Sequence, residues 1–230
     1  MAKSRPRAKG RPTGPTFVEA LAQLGLIDEF ARRTRAIKAT AAAEADQLGQ
    51  ARLKVVACHT CTAAKGCCKL PTVIYLHDAV IVADRLRRDG RDTPALRAAL
   101  RTSAEAMEQT RRAAYAAPCV FLDDAERCTV YDARPTACAT ALVFSDPAAC
   151  NDRHSDAVIM FDTTAATEAS LALAKEFYAR LGLADRTGRS AMGMLPRMVL
   201  VALRAWDRVD YQTFLAEGDW AVRAAQATAE

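Results

Sequence analysis

Eight cysteines fall in two short windows of this 230-residue chain, and that placement constrains it more than any other feature. The first window reads CHTCTAAKGCC, with the spacing Cys58-x2-Cys61-x5-Cys67-Cys68. The second holds Cys119, Cys128, Cys138 and Cys150, and no cysteine lies outside the two. Inert core cysteines account for one or two positions, such as Cys68 or Cys150, but not for the clustering. The expectation is two cysteine-bearing loops that meet in space and hold metal.

Length does not demand disulfides, because 230 residues suffice to bury a core without staples. Apolar residues make up 51% of the chain, aromatics only 6%, and Ala and Leu dominate. That composition favours helices over a β-sandwich. The net charge of +5 is concentrated at the start, where Lys3, Arg5, Arg7, Lys9 and Arg11 precede any acid. The other 27 basic residues, 32 less these five, balance 27 acidic ones. The expected folded part has no basic excess, which argues against a nucleic-acid groove.

Residues 1–16 are Pro/Gly-rich and basic, and are expected to form a disordered arm. One helical metal-binding domain is expected over 17–230, with its cysteine core at about 55–152 and C-terminal helices at 163–229. No apolar run follows the basic arm as a secretory signal would require. No stretch reaches the roughly 18 to 20 apolar residues of a membrane span. The expected location is the cytoplasm, where cysteines serve metal or redox chemistry more often than structural bridges.

Phe17, Leu21, Leu24, Ile27 and Phe30 share one helical face, predicting one helix or two over 17–50, with Gly49 as a stop. Leu76, Val80, Ala83 and Leu86 predict a helix over 76–88, stopped at Gly90. Thr93-Pro94 predicts the cap and first turn of the next, with Leu96, Leu100, Met107 and Ala114 inward. Between 118 and 150 the chain is irregular, with a turn at Asp123-Asp124 and a short hairpin pairing Val120–Leu122 with Cys128–Tyr131. Later helices are expected after Thr164, with Leu171, Ala174, Phe177 or Tyr178, and Leu181 inward, and Gly182 as stop. Others are expected from Pro196 and near Asp207 and Asp219, with Trp206, Phe214 and Trp220 packing this tail. The fold class is mainly α, with two irregular cysteine-rich loops and a short β-hairpin.

Thiolates are soft anionic ligands suited to zinc, to iron, or to an iron–sulfur cluster. A Cys-x2-Cys loop turns two sulfurs toward one metal. Adjacent side chains diverge, so the Cys67-Cys68 pair leaves one site with spare thiols, two sites and a polynuclear site all open. The spacing matches neither the usual ferredoxin runs nor a zinc ribbon. His59 lies between two cysteines and His154 follows Cys150 at Cys-x3-His, making both candidate extra ligands. His77 reads as a capping or surface residue, and Asp78 as a helix-start acid. Arg134 is a candidate to offset thiolate charge, with Tyr131 beside it in the core or around the metal.

The string from Cys58-x2-Cys61 through Gly66-Cys67-Cys68 to Pro118-Cys119-x-Phe121-Leu122 and Cys128-x2-Tyr131-x2-Arg134-Pro135-x2-Cys138 resembles the YkgJ-type CxxCxxCC proteins. That bacterial family is described as zinc- or iron-chelating, and the likeness runs over about residues 55–152. It implies metal ligation by the cysteines at the matching positions. Two features depart from it: five residues separate Cys61 from Cys67, and Ala139 stands where an arginine is common. Related cysteine-cluster proteins include flagellin lysine methylases, but no recognisable S-adenosylmethionine-binding loop is seen here. Two classes of function stay open. One is a metal-binding protein acting with an unknown protein partner, and the other is an iron or iron–sulfur enzyme of redox or group-transfer chemistry.

Overall fold

The structure is a computed structural model and describes residues 14–51, 66–110, 115, 117–142, 162–183 and 192–217. The described residues form eight α-helices and one two-stranded antiparallel sheet, so the chain is mainly helical. Helix α1 (Phe17–Gln23) opens with a capping box: Glu19 N–H donates to Thr16 Oγ1, and Thr16 N–H to the Glu19 carboxylate. Gly25, at φ +62°, breaks the apolar stripe there, so α2 (Leu26–Ala51) is a separate helix. Gly49 does not end α2, which continues through it with Gly49 buried. An isolated helical glycine is a weak stop when its face is packed.

Strand β1 (Val73–Tyr75) runs directly into α3 (Leu76–Arg88), and β2 (Met192–Met194) into α7 (Leu195–Ala205). The strands pair antiparallel, with Ile74 opposite Gly193, and Leu195 N–H donates to Thr72 O at 2.8 Å. This pairing starts α3 and α7 side by side, and α7 then packs on both α3 and α4 (Pro94–Gln109). Nearly all of α7 is buried, as expected of a helix that is apolar around most of its circumference.

The predicted inward faces hold except at Leu24, which follows α1 and is 41% exposed where the helix breaks. Leu76, Val80, Ala83 and Leu86 are all buried, and Gly90 follows α3 at φ +67°. Thr93 accepts from Leu96 N–H, with Pro94 in the first turn, and Leu100 and Met107 are buried while Leu96 packs against the core. Ala114 lies outside the described residues. In α6 (Thr164–Arg180) both Phe177 and Tyr178 are buried, and Gly182 follows at φ +64°. Its N-cap is Thr163 and not Thr164, its first residue, whose N–H and Oγ1 donate to Asp162 Oδ1. Helix α8 (Tyr211–Glu217) begins later than Asp207. Trp206 is buried beside Phe17 and Phe214 packs on the core, whereas Asp219 and Trp220 lie outside the described residues. One apolar cluster runs from Phe17 to Leu215.

The hairpin at 120–131 shrinks to a single bridge between Leu122 and Cys128. A short 3-10 turn at Tyr131–Ala133 then ends the extended course. Pro135 leads into the short helix α5 (Thr136–Thr140), which touches α2, α6 and β1.

Candidate metal centre

The first cysteine loop reaches the described residues at Gly66–Lys69, a 3-10 turn carrying Cys67, exposed, and Cys68, half-buried. The second loop docks on it directly: Cys119 N–H donates to Cys68 O at 2.8 Å. Beyond Cys119 the chain turns at Asp123, whose Oδ1 accepts from Ala125 and Arg127 N–H. Thr129 N–H then returns to Phe121 O, so the Leu122–Cys128 bridge brings Cys128 back beside the chain that carries Cys119. Buried Phe121 and Val130 anchor this loop in the core. Helix α5 supplies Cys138, and Cys119, Cys128 and Cys138 all pack partly buried against the same core.

The sulfurs bear on one another electrostatically. Cys67 is held down to about 6 by a hydrogen bond from Cys68, against the opposing effect of burial. Cys68 is pushed far up by that same bond, then by burial and the charges of Cys67, Cys119 and Cys138. Burial pushes Cys119 up to about 11, with Cys128 and Cys67 adding to it. Cys138 is driven up by burial, then by Cys119, Asp78, Cys128 and Cys67. Thiolates gathered this way repel, and a bound cation would remove the penalty.

Two cations flank the sulfurs. Arg134 bears on Cys67 while its guanidinium lies 4.3 Å over the Tyr131 ring. Tyr131 is 57% exposed, which excludes the core role foreseen for it. Lys38, from α2, donates to Arg134 O, and the charge of Cys138 bears on it. Burial lowers the Lys38 pKa.

Cys58, Cys61 and Cys150, with His59 and His154, lie outside the described residues. Among the described residues no three His, Cys, Asp or Glu side chains are arranged to hold one ion. The chemistry of the donor set nevertheless fits zinc or iron: soft sulfurs with flanking cations. Cys67, Cys68, Cys119 and Cys138 are free thiols.

His77 is not the capping or surface residue foreseen, whereas Asp78 is the first-turn acid of α3 as expected, though buried. His77 is fully buried, and Asp78 is buried with Oδ1 accepting from Thr136 N–H at 3.1 Å and Oγ1 at 3.2 Å. Burial lowers the His77 pKa, which keeps the imidazole neutral. Lys38 was missed altogether, since nothing in an Ala-rich stretch distinguishes one lysine from its neighbours.

With these loops placed, the chain can be set beside known families. Residues 57–154 match the CxxCxxCC family model. Its description is "putative zinc- or iron-chelating domain". The CxxCxxCC match spans every cysteine and under half the chain. No curated protein and no solved structure matches the chain.

A pocket of about 400 Å³ lies against α4. Pro118 and Val120, either side of Cys119, line it with Ser103 and Tyr115, whose hydroxyls have no hydrogen-bond partner.

The unequal thiols make a testable pattern. In metal-free protein at pH 7, iodoacetamide should label Cys67 well before Cys119 or Cys138. Its rate should rise as pH climbs through about 6, where the thiolate forms. Peptide mapping of alkylated sites checks this, and preferential labelling of Cys138 would contradict it.

Proposed function

We propose that the two cysteine-bearing loops share a metal centre, and that the protein is a cysteine-cluster chelator of zinc or iron. Support comes chiefly from the backbone bond between Cys119 and Cys68, which ties the loops together where their sulfurs bear on one another. The candidate ligands are Cys67, Cys68, Cys119, Cys128 and Cys138, joined by Cys58, Cys61 and Cys150 from the same domain match. Arg134 and Lys38 offset the charge of the thiolates. A closed zinc site of this kind is structural, and its work then lies with a protein partner. We place the protein in the cytoplasm, where such thiols stay reduced. No described helix is long and apolar enough to cross a membrane.

The pocket between α4 and the residues flanking Cys119 favours a second reading, an iron or iron–sulfur enzyme of redox or group-transfer chemistry, such as a lysine methylase-like activity. Metal and acid-labile sulfide analysis, with a visible spectrum, on protein purified without oxygen separates the two. Colourless protein with stoichiometric zinc supports the chelator as a structural centre. Brown protein with iron and sulfide moves the enzyme ahead. Protein with no metal would sink both.

A further inference from the structure

Arg91 stands on a fixed turn outside the cysteine loops. Gly90, at φ +67°, ends α3, and Arg91 N–H closes the turn by donating to Leu86 O at 2.8 Å. Thr93 N–H donates to Arg91 O at 2.9 Å, so the backbone of Arg91 is held on both sides. Arg87 and Arg97, before and after it, are engaged by Asp92 at 3.1 and 2.6 Å. Arg91 instead crosses 38 residues of sequence to the second cysteine loop.

There its two terminal nitrogens grip one residue. Nη1 donates to Thr129 O at 2.9 Å, and Nη2 to Thr129 Oγ1 at 2.7 Å. The Thr129 hydroxyl passes the grip on, donating to Phe121 O at 2.8 Å beside the bond from its own N–H. Thr129 follows Cys128 directly, and Phe121 lies two residues beyond Cys119. One guanidinium therefore secures both arms of the Leu122–Cys128 bridge, the arms that carry these two sulfurs. Hydrogen bonds from a charged donor are stronger than neutral ones, and a hydroxyl that accepts one donates the more strongly. The loop needs such a hold, because strands joined by a single bridge are not stable alone.

We propose that Arg91 is a positioning residue for the metal centre, which by holding Thr129 keeps Cys128 beside Cys119 for joint ligation. The inference rests on the shared cysteine centre proposed above. The charge of Cys128 bears on Cys119, and two thiolates at one ion repel until the ion binds. A clamp on both arms resists that repulsion and spares the ion the cost of ordering the loop. Arg91 does not touch the metal and acts through the loop backbone. Lys38 and Asp78 hold the same stretch further on, at Arg134 and Thr136, so the chain from Cys119 to Cys138 is fixed to the helices at three points.

The test is a Co²⁺ titration of the metal-free full chain, following thiolate-to-cobalt charge-transfer and ligand-field absorption. Arg91→Met keeps the apolar stem and removes the donors, and circular dichroism checks that it folds. It should bind the thiolate-ligated Co²⁺ about 10–100-fold more weakly, the cost of losing an outer partner of a metal ligand, with less charge-transfer absorption per ion. Arg91→Lys keeps a donor and should recover part of both. A residue that only stabilised the fold would lower the melting temperature of the metal-free protein and leave the Co²⁺ affinity and spectrum of the folded protein unchanged. That result in Arg91→Met overturns the proposal. If Arg91→Met fails to fold, Thr129→Val decides: it removes the hydroxyl relay, keeps the shape, and should weaken the same Co²⁺ about three- to tenfold. Unchanged binding by Thr129→Val then overturns the proposal. Wild type without charge-transfer absorption would overturn the cysteine centre, and this inference with it.

Discussion

Cys138→Ser should leave the protein with little metal at the cysteine centre and a markedly lower melting temperature when purified from cells. Serine is nearly the size of cysteine, so the packing of α5 changes little, but its hydroxyl is hard and stays protonated where a thiolate would ligate. Removing an outer partner of a metal ligand costs about 10–100-fold in affinity, and removing the ligand itself should cost at least ~100-fold. Because metal binding and folding are linked, that loss appears as lost stability in the loaded protein. The metal-free proteins supply the control. There Cys138 is a protonated thiol, pushed up by burial and the neighbouring sulfurs, and burying a neutral hydroxyl in its place should cost about 1–3 kcal/mol, the baseline against which the loss in the loaded protein is read. Metal content by mass spectrometry, with thermal melts before and after chelation, checks both halves. Unchanged metal content in the variant would remove Cys138 from the centre.

Helix α3 was legible to its end residues because its signals agree: an apolar stripe at helical spacing and a glycine that takes positive φ beyond its end. The α1–α2 break was half-visible, since Gly25 is positioned to make it but the stripe from Leu21 to Ile27 reads as continuous. Strands β1 and β2 left no local trace. Val-Ile-Tyr and Met-Gly-Met are three-residue segments that exist only because they find each other across most of the chain. The hairpin expected at 120–131 had suitable residues, but the 3-10 turn at Tyr131 cuts the pairing to one bridge.

The same division holds at the metal centre. Clustered sulfur is written into the local sequence, so the two loops could be nominated without knowing how they meet. Lys38, His77 and Asp78 could not, because their roles come from contacts between helices. His77 and Asp78 begin a helix, where solvent-facing polar residues are the ordinary expectation. Two facts overturn it, both non-local: Phe30 and Phe177 close over the imidazole, and Thr136 takes the carboxylate. A polar pair inside an otherwise apolar stripe such as Leu76–Leu86 is the weak signal that was available.

Asp78→Ala should destabilise even the metal-free protein by about 2–4 kcal/mol, more than most single changes. The carboxylate is the acceptor for both donors of Thr136, the first residue of α5. A five-residue helix cannot hold itself together in isolation, so α5 depends on what anchors its start. Alanine leaves two buried donors without an acceptor, each costing about 1–3 kcal/mol, partly offset by no longer burying a charge. Asp78→Asn keeps an oxygen for Thr136 and should cost well under half as much. Cys138 lies two residues beyond Thr136, so Asp78→Ala should also weaken metal binding at the thiols by loosening the placement of Cys138. Urea denaturation of the metal-free variants isolates the structural part, and metal titration of the folded proteins reads the rest. An alanine variant within about 0.5 kcal/mol of wild type would mean that α5 does not rely on Asp78, and that Cys138 is positioned by its apolar contacts instead.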